Sequence, residues 1–375
     1  MTTQQKTYTW AVIGILVVAV VIWGASKGQK ENNQETYKIG GAFALSGFAA
    51  EWGVADLNGA TLALEEFNKR GGHDKKVELV VEDISSDSPK VISAVQKLIS
   101  VDQVKVIIGP TWFDSFPGSA PIADEKQVVM ITPSGAITAV QAEKVHQYVF
   151  STWFRSDKEA EELIQHLSSK NQKKVAFVFT NDPFWEDIAN RAKKAAPGFG
   201  VDVVKEFKFN INDADFRTAL TQLKNLQPDV IVFGFSDESQ LNTFLKQRIE
   251  IYPDSNLFAT ESIEEFAKKD EYKPLLTNLH FIAPKVDIPE FAQKYKERFG
   301  VDPVFGASNS YDATNMVLDA IAAGNVSGPD IRDYVATTTF DTVTFGPVKF
   351  DEIGGVQGGE FIIKKINQNG SIEPL

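Results

Sequence analysis

The chain has 375 residues, of which 43% are hydrophobic and 23% are charged, and it contains no cysteine. This length exceeds what a single hydrophobic core usually supports, so we expect two lobes. The 50 acidic residues outnumber the 38 basic ones, giving a net charge of -12 without any basic run. Nucleic acids and anionic lipids need clustered Lys and Arg, so neither is expected as a partner of the folded part.

The N-terminal segment differs from the rest of the chain. Between Lys6 and Lys27 lie 20 uncharged residues, TYTWAVIGILVVAVVIWGAS, enough to cross a hydrocarbon core of about 30 Å as a helix. We expect residues 1–27 to form a membrane anchor, because the small residues after Trp23 make a poor cleavage site; a cleaved signal peptide is the alternative. Residues 28–36 then form a polar tether, and the larger C-terminal part is expected outside the cytoplasm.

In the first half of the folded part, short apolar runs alternate with amphipathic segments. Strands are predicted at 37–45, 77–83, 104–109 and 128–133. A helix is predicted over 54–72, where apolar residues recur at helical spacing and two glycines supply a stop. A second helix is predicted over 88–103, because Ser88 and Pro89 form a good cap and first-turn pair.

The same alternation restarts in the second half. Strands are predicted at 174–180, 201–209, 229–235 and 256–260, with helices from Asp182, from Asp213 to Leu226, and after the third of these strands. Strands that are apolar throughout and alternate with helices are typical of parallel sheets covered on both faces. The sequence therefore predicts an α/β protein with two doubly wound, parallel-sheet lobes.

Open parallel sheets bind ligands at the carboxyl ends of their strands, where loops and helix N-termini present free backbone donors. The candidate site is therefore the set of loops that follow the predicted strands. These loops are rich in aromatic residues and occupy 45–53, 109–115, 132–136, 180–187, 234–239 and 259–262.

Motifs for catalysis are absent from the sequence. It contains no G-x-S-x-G elbow, no G-x-x-x-x-G-K-[ST] phosphate loop and no H-E-x-x-H pair. The four histidines lack metal-ligand spacing, and paired acids such as Glu161 and Glu162 lie on charged helical stretches where a solvated face is expected. We therefore predict no enzyme activity, no catalytic residue, no metal site and no cofactor.

Six segments resemble one family in order and spacing: GGAFALSGFAAEWG, EEFNKRGG, VIIGP, VVMITPSGA, SNSYDAT and FGPVKFDEIGG. The family is that of the substrate-binding proteins of branched-chain amino acid type ABC transporters, the Leu/Ile/Val-binding class of type I periplasmic binding proteins. The resemblance implies two lobes joined by three crossovers, near 151–157, 281–285 and 344–350. It places 37–152 plus 284–344 in lobe 1 and 153–283 plus 345–375 in lobe 2.

The resemblance also implies a ligand-binding site between the lobes. In the family, a Ser and a Thr of lobe 1 hold the ligand carboxylate; by position, Phe113 and Ala136 replace them here. Trp52 replaces a first-loop Tyr, and Glu261 matches the acid that meets the ligand ammonium. The predicted ligand-binding residues are Ser46, Trp52, Trp112, Phe113, Asp114, Ser134, Gly135, Ala136, Phe184, Trp185, Ser236 and Glu261.

These replacements disfavour an ordinary Leu, Ile or Val ligand, because each missing hydrogen bond to a buried carboxylate costs roughly 1 to 3 kcal/mol. An aromatic-lined cleft with acids suits a ligand with an apolar or aromatic body and a cationic amine. The family implies an ABC permease and its ATPase subunits as partners. The alternatives are a sensory module that presents its ligand to a membrane receptor and, with least support, an amide hydrolase.

Overall fold

The computed structural model describes residues 36–47, 49–71, 75–85, 88–111, 116–141, 144–304 and 306–375, without the side chains of Ser88 and Ala139. The predicted anchor or signal segment 1–27 and residues 28–35 of the tether lie outside the described residues; Thr36 already belongs to the first strand. Trp112, Phe113 and Asp114 also lie outside them. Among the residues that are described, no helix has the length and apolar character needed to span a membrane.

The described elements alternate between strands and helices along most of the chain. The strands are β1 (Thr36–Phe43), β2 (Lys76–Asp83), β3 (Val106–Ile108), β4 (Val129–Thr132), β5 (Val149–Ser151), β6 (Lys174–Thr180), β7 (Asp202–Phe209), β8 (Val230–Gly234), β9 (Leu257–Ala259), β10 (His280–Pro284), β11 (Phe340–Thr342), β12 (Gly346–Phe350), β13 (Val356–Gln357), β14 (Phe361–Ile366) and β15 (Ile372–Pro374). The α-helices are α1 (Ala50–Arg70), α2 (Ser88–Ser100), α3 (Phe116–Lys126), α4 (Ile137–Val140), α5 (Ser156–Ser169), α6 (Pro183–Ala195), α7 (Arg217–Leu226), α8 (Glu238–Ile251), α9 (Glu264–Ala267), α10 (Lys273–Leu276), α11 (Pro289–Phe299), α12 (Ala307–Ala322) and α13 (Gly328–Thr337). Short 3-10 turns occupy Ala196–Phe199 and Glu261–Ile263.

Two large sheets carry the same parallel order. The first sheet runs β2-β1-β3-β4-β5, and the parallel part of the second runs β7-β6-β8-β9-β10. In each sheet the strand that comes first along the chain (β1 or β6) lies inside the sheet, and the next strand (β2 or β7) lies at the edge. This is the doubly wound arrangement that the alternation of elements predicted. The central strands β4 and β8 are buried at every residue, as expected for strands covered on both faces.

The second sheet also has an antiparallel edge that the sequence did not predict. Strand β14 pairs antiparallel with β10, and β15 pairs antiparallel with β14. The run at β14 is only half-buried, with an intermediate burial at five of its six residues. Half-buried antiparallel strands at the edge of an otherwise parallel sheet are common in large sheets.

Each sheet is covered by helices on both faces. We call the first sheet with the elements packed on it lobe 1. One core of lobe 1 joins the sheet to α1, α11, α12 and α13, and the other joins it to α2 and α3. The second sheet and its helices form lobe 2, whose two cores involve α7 to α10 on one face and α5 and α6 on the other.

The chain passes between the lobes three times. It leaves the first sheet after Ser151, returns to lobe 1 after Pro284, and enters the second sheet again at Phe361. The first crossover thus follows Ser151 and the second follows Pro284. The third lies later than 344–350, because Val348 and Phe350 of β12 pack in the core of lobe 1. The assignment of 345–357 to lobe 2 was therefore wrong.

Candidate functional site

The candidate site lies where loops follow the carboxyl ends of the parallel strands. Two contacts show that lobe 1 and lobe 2 meet there. Thr138 Oγ1, at the start of α4 in lobe 1, donates a hydrogen bond of 2.7 Å to Asp187 Oδ2 on α6 in lobe 2. Phe184, in the first turn of α6, packs against apolar cores of both lobes. The predicted binding residues can therefore be placed relative to this junction.

Ser46 and Trp52 belong to the loop and helix that follow β1. Ser46 is exposed, and its Oγ lies 2.8 Å from Asp83 Oδ2 and 2.7 Å from Ser85 Oγ. The backbone N–H of Leu45 donates to the other oxygen of Asp83 at 2.9 Å. Ser46 thus helps to tie this loop to the end of β2. Trp52 lies in the first turn of α1, half-buried against the lobe 1 core that contains α2 and α3.

Ser134, Gly135 and Ala136 form the loop between β4 and α4. Ala136 is buried in the lobe 1 core. Position 135 has room only for glycine, because a Cβ there would lie 2.9 Å from the side chains of Phe116 and Thr132. Its carbonyl oxygen accepts a 2.6 Å hydrogen bond from Ser151 Oγ, which in turn accepts one of 3.0 Å from the Trp153 N–H. This loop is therefore connected to the first crossover.

Asp56 lies beneath this loop and was not predicted from the sequence. Its Oδ2 accepts hydrogen bonds from Thr111 Oγ1 at 2.7 Å and from Ser134 Oγ at 3.3 Å, while Oδ1 has no donor among the described residues. Burial raises the pKa of Asp56 to about 7, although both hydroxyl donors oppose the shift. The hydroxyl of Ser134 thus contacts a carboxyl group of the protein itself.

In lobe 2, Asp182 organises the loop after β6 and the loop after β8. It caps α6 by accepting the Trp185 N–H at 3.0 Å, and it accepts the hydroxyl of Ser236. Ser236 Oγ also accepts the indole N–H of Trp185 at 3.2 Å. Trp185 is only 4% exposed and packs in the lobe 2 core. Its indole therefore positions Ser236, and with it the loop after β8, from inside the core.

Phe184 and Trp185 were both predicted to line the cleft, and the structure gives them different environments. Their rings meet edge to face, with centroids 5.2 Å apart. The Trp185 ring fills the space above Gly234, where a Cβ would lie within 2.2 Å of the indole. Phe184 is half-buried and contacts both lobes, so it is the member of the pair that presents aromatic surface at the junction.

Glu261 begins the 3-10 turn after β9 and lies beside Glu159 of α5. Their side chains are 6% and 0% exposed, and the two carboxyl groups lie within hydrogen-bonding reach of each other. Burial raises the pKa of Glu261 to about 7. Burial, reinforced by the charge of Glu261, raises the pKa of Glu159 well above its ordinary range. The raised pKa values favour a proton held between the two carboxyl groups, because two buried carboxylates at contact repel each other.

Other carboxyl groups surround this pair, and basic side chains neutralise them. Asp187 accepts hydrogen bonds from Arg191 Nε at 2.8 and 2.9 Å. Glu264 accepts one of 2.6 Å from Lys364 Nζ. Apart from the contact between the two carboxyl groups themselves, neither Glu159 oxygen nor Oε2 of Glu261 has a hydrogen-bond donor among the described residues. The described part of the chain also holds no group of three or more His, Cys, Asp or Glu side chains arranged for a metal ion.

Comparison with known proteins identifies the family. The family model described as periplasmic binding protein matches residues 36–371. The chain belongs to the periplasmic binding protein family. This binding protein is 23% identical over 346 residues to the leucine-, isoleucine-, valine-, threonine- and alanine-binding protein of Pseudomonas aeruginosa, with 88% of this chain and 89% of that protein covered.

Solved structures agree with this assignment. The branched-chain amino acid transporter substrate-binding protein LivJ from Streptococcus pneumoniae, in complex with isoleucine, matches with a TM-score of 0.77 and 25% identity over 91% of this chain and 99% of that one. An ABC transporter solute-binding protein from R. palustris in complex with benzoate has the same fold, with a TM-score of 0.76 and 20% identity over 91% and 95% of the two chains.

The family assignment confirms the resemblance recognised in the sequence. Its members are solute-binding receptors of ABC transporters rather than enzymes. Membership also implies a location outside the cytoplasm for this binding protein. The α/β fold with parallel sheets is likewise confirmed by the solved structures.

The sequence missed Asp56 and Glu159 for the same reason. Each is an acid on a helix, where charged residues are usually expected on the solvated face. Glu161 and Glu162 do lie exposed, but Glu159 falls on the buried stripe of α5 with Leu163. The spacing of four residues between Glu159 and Leu163 was the signal that could have revealed it.

Proposed function

We propose that this binding protein captures a small ligand with an apolar or aromatic body and an amine between lobe 1 and lobe 2. It then delivers the ligand to an ABC permease driven by ATPase subunits. Glu261 carries the proposal: it is a buried acid at the carboxyl end of β9, beside a second buried acid, Glu159. A cationic amine would supply both the charge and the donor.

The aromatic side chains support an apolar or aromatic ligand body. Trp52 and Phe184 are half-buried, one in each lobe, and Phe184 reaches the junction between them. Trp112, Phe113 and Asp114 are further ligand-binding residues predicted from the sequence, and they lie outside the described residues. Such side chains supply large contact area to a ligand at low entropic cost.

The ligands found in proteins of similar structure define the alternative ligand classes. Proteins with this fold include one in complex with isoleucine and another in complex with benzoate. Here Ala136 is buried in the core and offers no hydroxyl for a ligand carboxylate, and the Ser134 hydroxyl contacts Asp56. This arrangement favours an amine over a carboxylate as the polar group of the ligand.

Ligand binding would hold the lobes together. A ligand that contacts both lobes favours the closed arrangement by its differential contacts. The permease would then recognise the closed form, as the family resemblance implies.

Thermal unfolding tests the proposal. The full chain, purified in mild detergent, is heated with aliphatic amino acids, aromatic amino acids, aromatic carboxylates, amides or small amines. A ligand at 100 times its Kd adds about 2.7 kcal/mol to the stability of the folded state, which raises Tm by several degrees. A shift with an aromatic or amine ligand and none with leucine supports the proposal. A shift with leucine or valine alone contradicts the proposed ligand class.

We also propose that residues 1–27 remain attached as a membrane anchor. The 20 uncharged residues between Lys6 and Lys27 support this. The test is the intact mass of the protein recovered from membranes after a carbonate wash. A full-length mass in the washed membrane supports the anchor, whereas a mass that lacks the segment shows a cleaved signal peptide.

A further inference from the structure

One buried glutamine connects the loops that follow three neighbouring strands of lobe 2. Gln240 lies in the first turn of α8 and is 2% exposed. Its Nε2 donates hydrogen bonds to the backbone oxygen of Asn210 at 2.6 Å and to that of Asp213 at 3.1 Å. Its Oε1 accepts a hydrogen bond of 2.9 Å from Thr180 Oγ1. The amide group thus binds the end of β6 and the loop after β7 at the same time.

Thr180 extends this connection to the loop after β8. It is the last residue of β6, is 2% exposed, and accepts the backbone N–H of Ser236 at 3.1 Å. The hydrogen bonds run in one direction, from the Ser236 N–H through the Thr180 hydroxyl to the Gln240 amide and on to the two backbone oxygens. Because backbone oxygens can only accept, they determine which end of the amide faces them. Every donor in the chain is therefore matched to an acceptor.

The three loops are neighbours because their strands are neighbours. Strand β6 lies between β8 and β7 in the second sheet, and ligands bind beyond the carboxyl ends of such parallel strands. The loop after β6 carries Asp182, which caps α6 and accepts the hydroxyl of Ser236. The same loop leads to Phe184, whose ring packs against cores of both lobes. The position of Phe184 at the junction therefore depends on a loop that Gln240 helps to hold.

We propose that Gln240 is a positioning residue for ligand capture, which holds the loops after β6, β7 and β8 in the arrangement of the bound state without touching the ligand. The inference rests on the proposed function and adds a residue that the sequence did not predict. A loop that is already in place loses less conformational freedom when a ligand binds. Removal of the amide should therefore weaken the binding of chemically different ligands by a similar factor.

The same helix offers a matched control. Gln247 is 5% exposed and lies two turns further along α8. Its Oε1 accepts the Phe216 N–H at 2.7 Å, and its Nε2 donates to the Ala214 oxygen at 3.3 Å. Both glutamines therefore bind backbone groups between β7 and α7. Of the two, Gln240 is the one that also bonds to Thr180 at the end of β6.

Hydrogen exchange tests the inference without any ligand. Gln240→Met and Gln247→Met keep the length of the side chain and remove the amide. Mass spectrometry of the full chain in mild detergent measures backbone exchange in the loops 180–187 and 234–239. We expect Gln240→Met to speed exchange about tenfold in both loops, whereas Gln247→Met should leave both unchanged. Unchanged exchange in Gln240→Met, or an equal increase in Gln247→Met, overturns the inference.

A variant at the other end of the hydrogen-bond chain guards against a folding defect in Gln240→Met. Thr180→Val keeps the shape of the side chain and removes the hydroxyl that lies between Ser236 and Gln240. It should speed exchange in the same two loops. If Thr180→Val leaves their exchange unchanged, the connection through Gln240 does not hold the loops, and the inference is overturned.

Ligand binding is the second measurement. Calorimetric titrations use three probes of different chemistry: 2-phenylethylamine, phenylalanine and leucine. For each probe that binds the unmodified protein, we expect Kd to rise about tenfold in Gln240→Met and less than about twofold in Gln247→Met. Urea unfolding of both variants shows whether they lose similar stability, in which case the difference in Kd arises from the loops and not from a general loss of packing.

The outcomes separate this inference from the proposed function. If leucine binds and 2-phenylethylamine does not, the proposed ligand class is contradicted, while the Kd values for leucine still test the role of Gln240. Equal Kd values for Gln240→Met and the unmodified protein overturn the inference, even where the amine binds. If no probe binds, the proposed ligand class is contradicted, and the exchange pattern alone supports or overturns the role of Gln240.

Discussion

Thr138 and Asp187 join the two lobes through a hydrogen bond of 2.7 Å between Oγ1 and Oδ2. Thr138 is buried, and Asp187 is held in place by Arg191. A bond that spans the lobes favours the arrangement in which they lie together. If ligand binding closes the lobes, as proposed, we expect this contact to raise ligand affinity without touching the ligand.

Replacing Thr138 by valine should weaken ligand binding. The substitution keeps the shape and removes the donor, so a hydrogen bond to a charged group worth about 1.5 kcal/mol is lost, about tenfold in Kd. Calorimetry with a ligand from the panel measures the effect. Thr221→Val is the control, since its hydroxyl donates to a carbonyl on the exposed face of α7. Equal Kd values for the two variants would show that the Thr138 contact does not favour closure.

Gly234→Ala should destabilise lobe 2. A Cβ at Gly234 would lie within 2.2 Å of the Trp185 ring, which must then move. Overpacking of this kind costs about 1 to 3 kcal/mol. Urea unfolding gives the free energy, and tryptophan fluorescence reports the indole. Gly198→Ala, where the added Cβ meets nothing within 4 Å, is the control. If the two variants were equally stable, the indole would not be held over Gly234.

Asp56→Asn should change how stability depends on pH. The pKa of Asp56 is about 7 in the folded state against 3.8 as the ordinary value. Between these values the unfolded chain releases a proton that the folded chain keeps. Stability therefore falls as pH rises from about 4 to 7, by up to about 1.4 kcal/mol per pH unit, and the loss is complete above pH 7.

In Asp56→Asn no carboxyl group ionises at this position, so the variant lacks this loss of stability with rising pH. Thermal or urea unfolding at pH 5, 6, 7 and 8 should show that Asp56→Asn gains stability relative to the parent protein as pH rises to 7. The exposed Asp254→Asn serves as control. A constant difference between Asp56→Asn and the parent at all four pH values would contradict the raised pKa of Asp56.

Arg155→Met should weaken the contact between the first crossover and the segment that follows β12, and so destabilise the protein. The Arg155 guanidinium contacts the carboxylate of Asp351, whose side chain is 2% exposed. Removal of the cation leaves the buried carboxylate with the backbone N–H groups of Ile353 and Gly355 but without a counter-ion, at a cost of about 3 to 5 kcal/mol. The double variant Arg155→Met with Asp351→Asn should recover much of this in urea unfolding. Arg217→Met, whose ion pairs are exposed, should cost under about 1 kcal/mol.

The sequence predicted the ends of the strands better than the start of helix α7. The apolar runs matched β1, β4, β6 and β8 to within two residues at each end, because parallel strands covered on both faces are apolar throughout. Helix α7 begins at Arg217 and not at Asp213, because Asp213 accepts the Asn210 N–H at 2.7 Å and closes a turn before the helix. A side chain that binds a backbone N–H in this way competes with helix formation, and the periodicity of apolar residues does not reveal it.

The candidate site was predicted only in part. Position in a loop after a strand led to the prediction of Glu261, which the structure shows to be buried directly after β9. The same rule grouped Phe184 with Trp185, although the helix turns Trp185 into the core. Asp56 and Glu159 remained hidden, because their burial depends on which helix face meets the sheet. Only the packed structure decides that face.

The hydrogen bonds of Ser151 have a further consequence for transport. Its hydroxyl connects the Gly135 carbonyl of the loop at 134–136 with the backbone of the first crossover. We therefore expect a ligand that displaces this loop to shift the first crossover as well, so that ligand size would affect the distance between the lobes. If the proposed permease docks on both lobes, the distance between its two contact surfaces would then depend on the size of the bound ligand.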